Sequence, residues 1–506
     1  MTTDEGEIGS APLKRDLLGR PLPWAEEDLK PSDGEALVTA LNAADPRAIA
    51  AAILGAELQL GGFERSRQTL LRWLLDRDGP SCLLPARALA DTLRIIGKPN
   101  GDRDLLPLVS VAALVADLLS QSPPTNAPVA TQMTLDAAIA AGNPAAATVA
   151  VQQRLDSGDG GAAMEKELIG LLYQYAGRAG HVAPFLAAAC ELRQTCGDEI
   201  VGPLHAALAG SLAGAVAVAV DPALAAHLVR VEPLLRQASD LHAAENPVRA
   251  AAFNEPRFRQ HLLAGQSDTA IKALHRGLSF GVPRELLARS LCLAAAERML
   301  RFDSQIDGRN DRLERWADVG WLLVQSSAIA QLRRQHDVPG WIGLLAHGVF
   351  LVEAAATLDA PPQKRPPLPE AEEGTAAWEH GPQIGRICGL IRASRGDDAV
   401  AALRGYLQLD LPEQPLSSQL ARLMFGDARR PAWQQTTLIA TVCAAVEEFN
   451  VLAEHPHREL LLCAAIRLMT APERAAEASG LGASWLDLRH SGRQASATAA
   501  LPWLNR

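Results

Sequence analysis

Apolar positions along most of the chain return every three to four residues, the spacing that lines one face of an α-helix. The pattern is clearest in four segments, which begin at Asp45, Gly142, Ser267 and Gly396. Each opens on a small or acidic turn, runs on as an Ala-rich amphipathic helix, and continues into a second, Leu-rich helix. The opening Asp, Asn or Ser residues are the types that cap a helix N-terminus by accepting a backbone hydrogen bond. A second helix pair follows each segment. In the first two copies Pro85, Ala88, Leu93, Arg94, Pro107 and Leu108 match Pro184, Ala187, Leu192, Arg193, Pro203 and Leu204. Looser versions start at Val324 and Gln434. The expected fold is all-α: a repeated helix-pair array, either α-solenoid-like or a closed helical bundle, of about four two-part units.

Breaks in this periodicity divide the chain. Residues 1–32 are polar, carry Pro12, Pro21, Pro23 and Pro31, and read as a loose leader. Residues 33–358 form a helical repeat domain of three units, with a short linker by composition at residues 120–132. Residues 359–382 (DAPPQKRPPLPEAEEGTAAWEHGP) place six prolines around an acidic run, the composition of an exposed, partly extended connector. Residues 383–479 form the fourth helical unit, expected to pack on the first domain, and residues 480–506 form an irregular tail.

Composition agrees with helices and narrows function. Hydrophobic residues are 48% of the chain but aromatic ones only 4%, so Ala and Leu supply the core. Strands would draw more on aromatic and β-branched residues. A net charge of −10 argues against nucleic acid as a partner, because binding there needs a basic face that displaces counterions from phosphates. The first residues are acidic and lack the apolar core of a secretory signal. The most apolar stretch, residues 206–220, is too short to span a bilayer comfortably and reads as a buried helix. Seven scattered cysteines without a CxxC pair fit reduced thiols, and with the missing signal they point to a cytoplasmic protein. Cys190 and Cys196 fall on different helix faces and do not form a zinc pair.

Histidine and carboxylate positions are where chemistry could sit in a helical protein, since metal centres in bundles use inward His and Glu. His242 and Glu245, three apart, share a helix face, although Pro247 just beyond them suggests a turn where such residues cap or meet solvent. Glu297 interrupts an apolar run, so it either pairs with Arg298 or Arg301 or faces a cavity. The repeat aligns His181 with Cys82, and His205 with Val109, while His347 lies further along the corresponding helix of the third copy. His181, His205, His242, Glu245, Glu297 and His347 are thus the candidate metal ligands, an incomplete set if they converge. Glu447 and Glu448 read as solvent-facing, and His455-Pro-His457 as a turn. Gly277-Leu-Ser279-Phe-Gly281 matches GxSxG, but a nucleophile elbow needs a strand before the serine, and here a helix precedes it. The glycine-rich run at residues 157–161 is a flexible turn, and neither a P-loop nor HExxH occurs.

Residues 45–62 and 294–303 resemble a helical module of uncharacterised bacterial proteins that is often fused to a Rieske [2Fe-2S] domain. Residues 435–470, with His455-Pro-His457 inside them, are similar to that module and to questin-oxidase-like helical proteins. The resemblance implies a metal or redox site at His-led helix starts. Gln435 and Thr436 stand where such a histidine would be expected, the stretch after Trp321 lacks another, and no Cys-x-His pair of a Rieske centre is present. The function expected is therefore a non-catalytic or weakly catalytic helical scaffold or binding subunit, accessory to a redox enzyme, with a protein partner or a second copy of itself. No cofactor is expected on that reading. The alternative is a metal-dependent oxidoreductase holding iron or another transition metal at the His/Glu set.

Overall fold

The helical periodicity becomes 22 α-helices among the described residues, and the only β pairing there is an isolated bridge between Phe302 and Asp359. The computed structural model describes residues 32–57, 61–76, 82–96, 106–120, 133–174, 182–216, 222–306, 316–373, 379–409, 411–426 and 432–471. The leader apart from Ser32, the linker beyond Ser120, and the tail lie outside the described residues. In chain order come α1 (Gly34–Ala43), α2 (Pro46–Glu57), α3 (Gly62–Leu75), α4 (Leu83–Ile96) and α5 (Leu106–Ser120). Next are α6 (Leu135–Ala140), α7 (Pro144–Asp156), α8 (Gly161–Gln174), α9 (Ala183–Cys196) and α10 (Asp198–Val216). Then α11 (Pro222–Arg236), α12 (Ala238–Ala243), α13 (Glu255–Leu263), α14 (Ser267–Ser279), α15 (Arg284–Arg301), α16 (Trp316–Gln335) and α17 (Trp341–Ala354) follow. Last are α18 (His380–Arg392), α19 (Gly396–Gln408), α20 (Glu413–Leu423), α21 (Ala432–Val451) and α22 (Glu459–Met469).

The centre of the molecule is a ring. Helix α4 packs on α9, α9 on α16, α16 on α21, and α21 back on α4. Each ring helix also packs on the helix that follows it in sequence, giving the pairs α4–α5, α9–α10, α16–α17 and α21–α22. Small residues permit the closest approaches. A Cβ at Gly320 of α16 would lie 2.9 Å from Thr441 Oγ1 on α21, and one at Gly210 of α10 would lie 2.8 Å from Thr148 Oγ1 on α7. Ala and Leu fill the rest of one continuous core. Each fully buried Leu there contributes roughly 1.5–3 kcal/mol relative to exposure, before cavity effects.

Local starts and stops follow the sequence in part. Asp45 Oδ1 accepts from Arg47 N at 2.9 Å, and Asn143 Oδ1 from Ala146 N at 3.1 Å, as expected of caps. In the third and fourth segments the cap positions are instead Gln266 and Arg395, without a side-chain cap. There Asp268, Asp397 and Asp398 stand in the first turn, where their charge suits the helix dipole. Pro203 does not open its helix, contrary to the expectation from its match with Pro107. It sits inside α10, which starts at Asp198 after Gly197 turns the chain at a φ of 95°.

Residues 206–216 of the apolar stretch expected to be a buried helix form the second half of α10, and residues 217–220 lie outside the described residues. A different stretch, Trp341–Leu358, is long and apolar enough to cross a membrane, but 83% of it is buried within the fold. The Pro-rich connector is exposed along much of residues 361–373 yet fastened at several points. Asp359 receives Arg298 Nη1 at 2.7 Å, Glu372 N donates to Ala401 O at 3.0 Å, and Arg386 Nη2 donates to Glu372 Oε1 at 2.8 Å.

Candidate functional site

A buried polar cluster gathers where α8, α9, α10 and the end of α16 meet. Glu165 lies on α8 in the same stripe as Leu168, Ile169 and Leu172, so the packing that buries those three also buries the carboxylate. Helix α9 contributes Cys190 and Arg193, one turn apart, and α10 contributes His205. His336 is the first residue beyond α16. Arg193 Nε donates to Glu165 Oε1 at 2.8 Å, and His336 Nε2 lies 3.0 Å from Oε2. Cys190 Sγ is 3.7 Å from the same His336 nitrogen, and His205 Nε2 is 3.4 Å from Glu165 Oε1. Glu165, Cys190 and His205 are fully buried and His336 nearly so. Neither ring nitrogen of His205 makes a hydrogen bond of good geometry. Among the described residues, Glu165, Cys190 and His336 are the one group of His, Cys, Asp or Glu whose ligand-type atoms all lie within 4.8 Å of one another.

The electrostatics divide these groups by role. Burial opposes ionisation of Glu165, but His205, His336 and Arg193 around it outweigh that and hold its carboxyl well below the usual range. Burial drives the Cys190 thiol far upward, and the Glu165 charge adds to this. Arg193 also reaches Asp198 at 3.5 Å. Glu165 is therefore an anion matched by Arg193, while Cys190 beside it is held as the protonated thiol.

Of the five expected ligands among the described residues, only His205 belongs to this cluster, and the five do not gather in one place. His181 lies outside the described residues. His242 Nε2 meets Asp337 Oδ1 at 2.9 Å. Glu245 accepts from the backbone N of Arg284 at 3.2 Å and pairs with its guanidinium, so it caps α15. Glu245 therefore follows the capping alternative, while His242 stays within α12 and pairs with Asp337. Glu297 pairs with Arg301 at 2.5 Å and Arg259 at 3.3 Å, whereas Arg298 turns away to Asp359 and the carbonyls of Val352 and Leu262. His347 is buried beside His227, with ring centroids 6.3 Å apart, and His227 stacks on Phe350 at 4.1 Å. Burial pulls the His227 pKa far down, helped by His347 and Arg230, which keeps that imidazole neutral. Ser279 is the last residue of α14, and Gly281 turns the chain at a φ of 80°.

Sequence reasoning missed Glu165, Cys190 and His336. The signal for Glu165 was a carboxylate in register with Leu168, Ile169 and Leu172. Cys190 was weighed only against Cys196, which is its neighbour in sequence but not in the fold. Glu448 also reverses expectation, being 1% exposed inside the ring. There Arg87 grips Asp91 through two bonds of 2.7 Å, and Arg94 pairs with Asp91, Glu191 and Glu447. Arg334 reaches Glu447 and Glu448 at 2.9 Å each, and Ser327 Oγ donates to Glu448 at 2.9 Å. This chain of ion pairs links all four ring helices.

On the surface, α11 and α14 border a groove of about 690 Å³. Arg230, Lys272, His275 and Arg276 stand along it, with Ile271 and Phe280 among the apolar lining. Phe280 is 48% exposed and the Arg249 guanidinium lies 4.6 Å from its ring; Val229, next to Arg230 in sequence, and Val248, next to Arg249, are exposed as well. Comparison with protein-family models, with curated proteins and with solved structures gives no match.

Proposed function

We propose that this protein is a non-catalytic helical scaffold that docks an acidic, partly apolar segment of a protein partner along the α11–α14 face. The observation that carries this is the basic groove itself. Three cations and a histidine line it in a chain of net charge −10, and an exposed aromatic ring sits at its edge. Exposed apolar side chains rimmed by charge mark interaction sites more often than they mark isolated surface residues. Among the described residues Arg230 and Lys272 share Asp268, which leaves positive charge to steer and select an acidic partner. The resemblance to Rieske-associated modules makes a redox protein the partner in view, and seven free thiols suit a cytoplasmic setting. The scaffold reading is favoured over the oxidoreductase reading because His242, Glu245, Glu297 and His347, four of the latter's six residues, stand apart from the buried cluster.

Photocrosslinking tests the proposal. A benzophenone side chain placed at Phe280 in the native host should capture a partner segment rich in Asp and Glu, and Lys272→Glu with Arg276→Glu should abolish the capture. Equal capture from the exposed control position Gln414, or capture of neutral or basic segments, would refute it.

A further inference from the structure

We propose that Cys190, His336, Glu165 and His205 form a closed site for one divalent metal ion of the zinc type, separate from the docking face. The donor set is the first argument. A thiolate, two imidazoles and a carboxylate are the ligands zinc takes in four-coordinate structural sites, and here they come from three helices and the residue after a fourth.

Spacing is the second. Metal–sulfur and metal–nitrogen or oxygen bonds of about 2.3 and 2.0–2.1 Å give a tetrahedron edges of roughly 3.6 Å and 3.3 Å. Cys190 Sγ to His336 Nε2 is 3.7 Å, and His336 Nε2 to Glu165 Oε2 is 3.0 Å. Three of the four donors, those of Cys190, His336 and Glu165, already lie within 4.8 Å of one another, and His205 would move in from beside the carboxylate to complete the shell. His205 Nε2 flanks the same carboxylate at 3.4 Å, fully buried and without a well-formed hydrogen bond. A buried ring in that state lacks the partner that such groups nearly always have.

Charge is the third. One divalent ion with the Cys190 thiolate, the Glu165 carboxylate and two neutral imidazoles sums to zero, and the adjoining Arg193 is balanced by Asp198, which suits a site closed to water. On binding, the thiol proton leaves Cys190 for solvent, so affinity falls as pH falls. Arg193 is not an obstacle here. It bonds Oε1 and leaves Oε2 toward Cys190 and His336, as an outer group orienting a ligating carboxylate does. The ion would join α8, α9 and α10 to the segment after α16, closing the ring from outside.

The test uses the full-length protein, purified without chelating resin from zinc-replete cells and, separately, from cells grown on cobalt. Mass spectrometry of the metal should find close to one equivalent. The cobalt form should show tetrahedral d–d bands and a thiolate-to-cobalt charge-transfer band. Cys190→Ser should abolish the charge-transfer band, and His336→Gln should weaken metal retention at least tenfold. Cys463→Ser should change neither. A wild-type protein with under a tenth of an equivalent of either metal, or a metal unaffected by both ligand substitutions, overturns the proposal. If the ligand variants fail to fold, the wild-type cobalt spectrum decides, because the absence of a thiolate band is itself contrary.

Discussion

Cys190 and Glu191 are neighbours on α9, and they face two different buried polar regions. Glu191 looks into the helix ring, where Arg87, Arg94 and Arg334 are matched by Asp91, Glu447 and Glu448. Cys190 looks toward α8 and His336, where the ion pair between Arg193 and Glu165 is surrounded by the Cys190 sulfur and the ring nitrogens of His205 and His336. The ring uses its polar atoms on one another. The outer cluster keeps more donor atoms than its one ion pair needs. Burial alone therefore does not mark a site, and what separates the two regions is whether the polar atoms are already satisfied.

The largest effect that could break this contrast is at the ring. Asp91→Ala leaves Arg87, 1% exposed, as a buried charge without its carboxylate, and should cost about 3–5 kcal/mol in urea denaturation. A loss under about 1 kcal/mol would mean the network is not the interlock described. Glu165→Gln, measured with a chelator present, should cost less, about 1–3 kcal/mol, because Arg193 keeps Asp198 and reaches solvent. Equal losses at the two sites would erase the distinction between them.

Titration sharpens the comparison next. The folded Glu165 carboxyl lies below its unfolded value, so its contribution is present above about pH 4.3 and is lost as pH falls through the folded value. Glu255 behaves alike: burial opposes its charge, but His455 and Arg289 outweigh this and hold it at about 2. For Cys190 the sign reverses. Its folded value is raised, so its contribution is present below about pH 8.5 and is lost as pH rises through the folded value. Metal-free wild type should thus lose more stability than Cys190→Ser between pH 8 and 10, whereas the zinc-loaded protein, already a thiolate, should not. The smallest effect is at the surface: Arg276→Glu should shift stability by less than about 0.5 kcal/mol while weakening partner capture.

The helices were legible because the 3.6-residue period survives any tertiary arrangement, and the second helix pairs read from Leu83 and His181 are packed pairs here. The ring was not legible, since closure depends on which faces meet across more than 300 residues. Gln435 and Thr436, read as substitutes for a histidine, are buried at the start of α21, where Gln435 donates to Met424 O. His205 was found because the repeat exposed it as an addition relative to Val109. Glu165 and His336 were missed because they are 171 positions apart and meet only through α8, α9 and the end of α16. Sequence spacing shows which residues share one helix face, and this cluster is built between helices.

X-ray absorption at the zinc edge of the purified wild-type protein tests the central claim most directly. The account predicts one sulfur at about 2.3 Å and three nitrogen or oxygen neighbours at about 2.0–2.1 Å. A zinc shell without sulfur, or a protein that carries no zinc to measure, would contradict it.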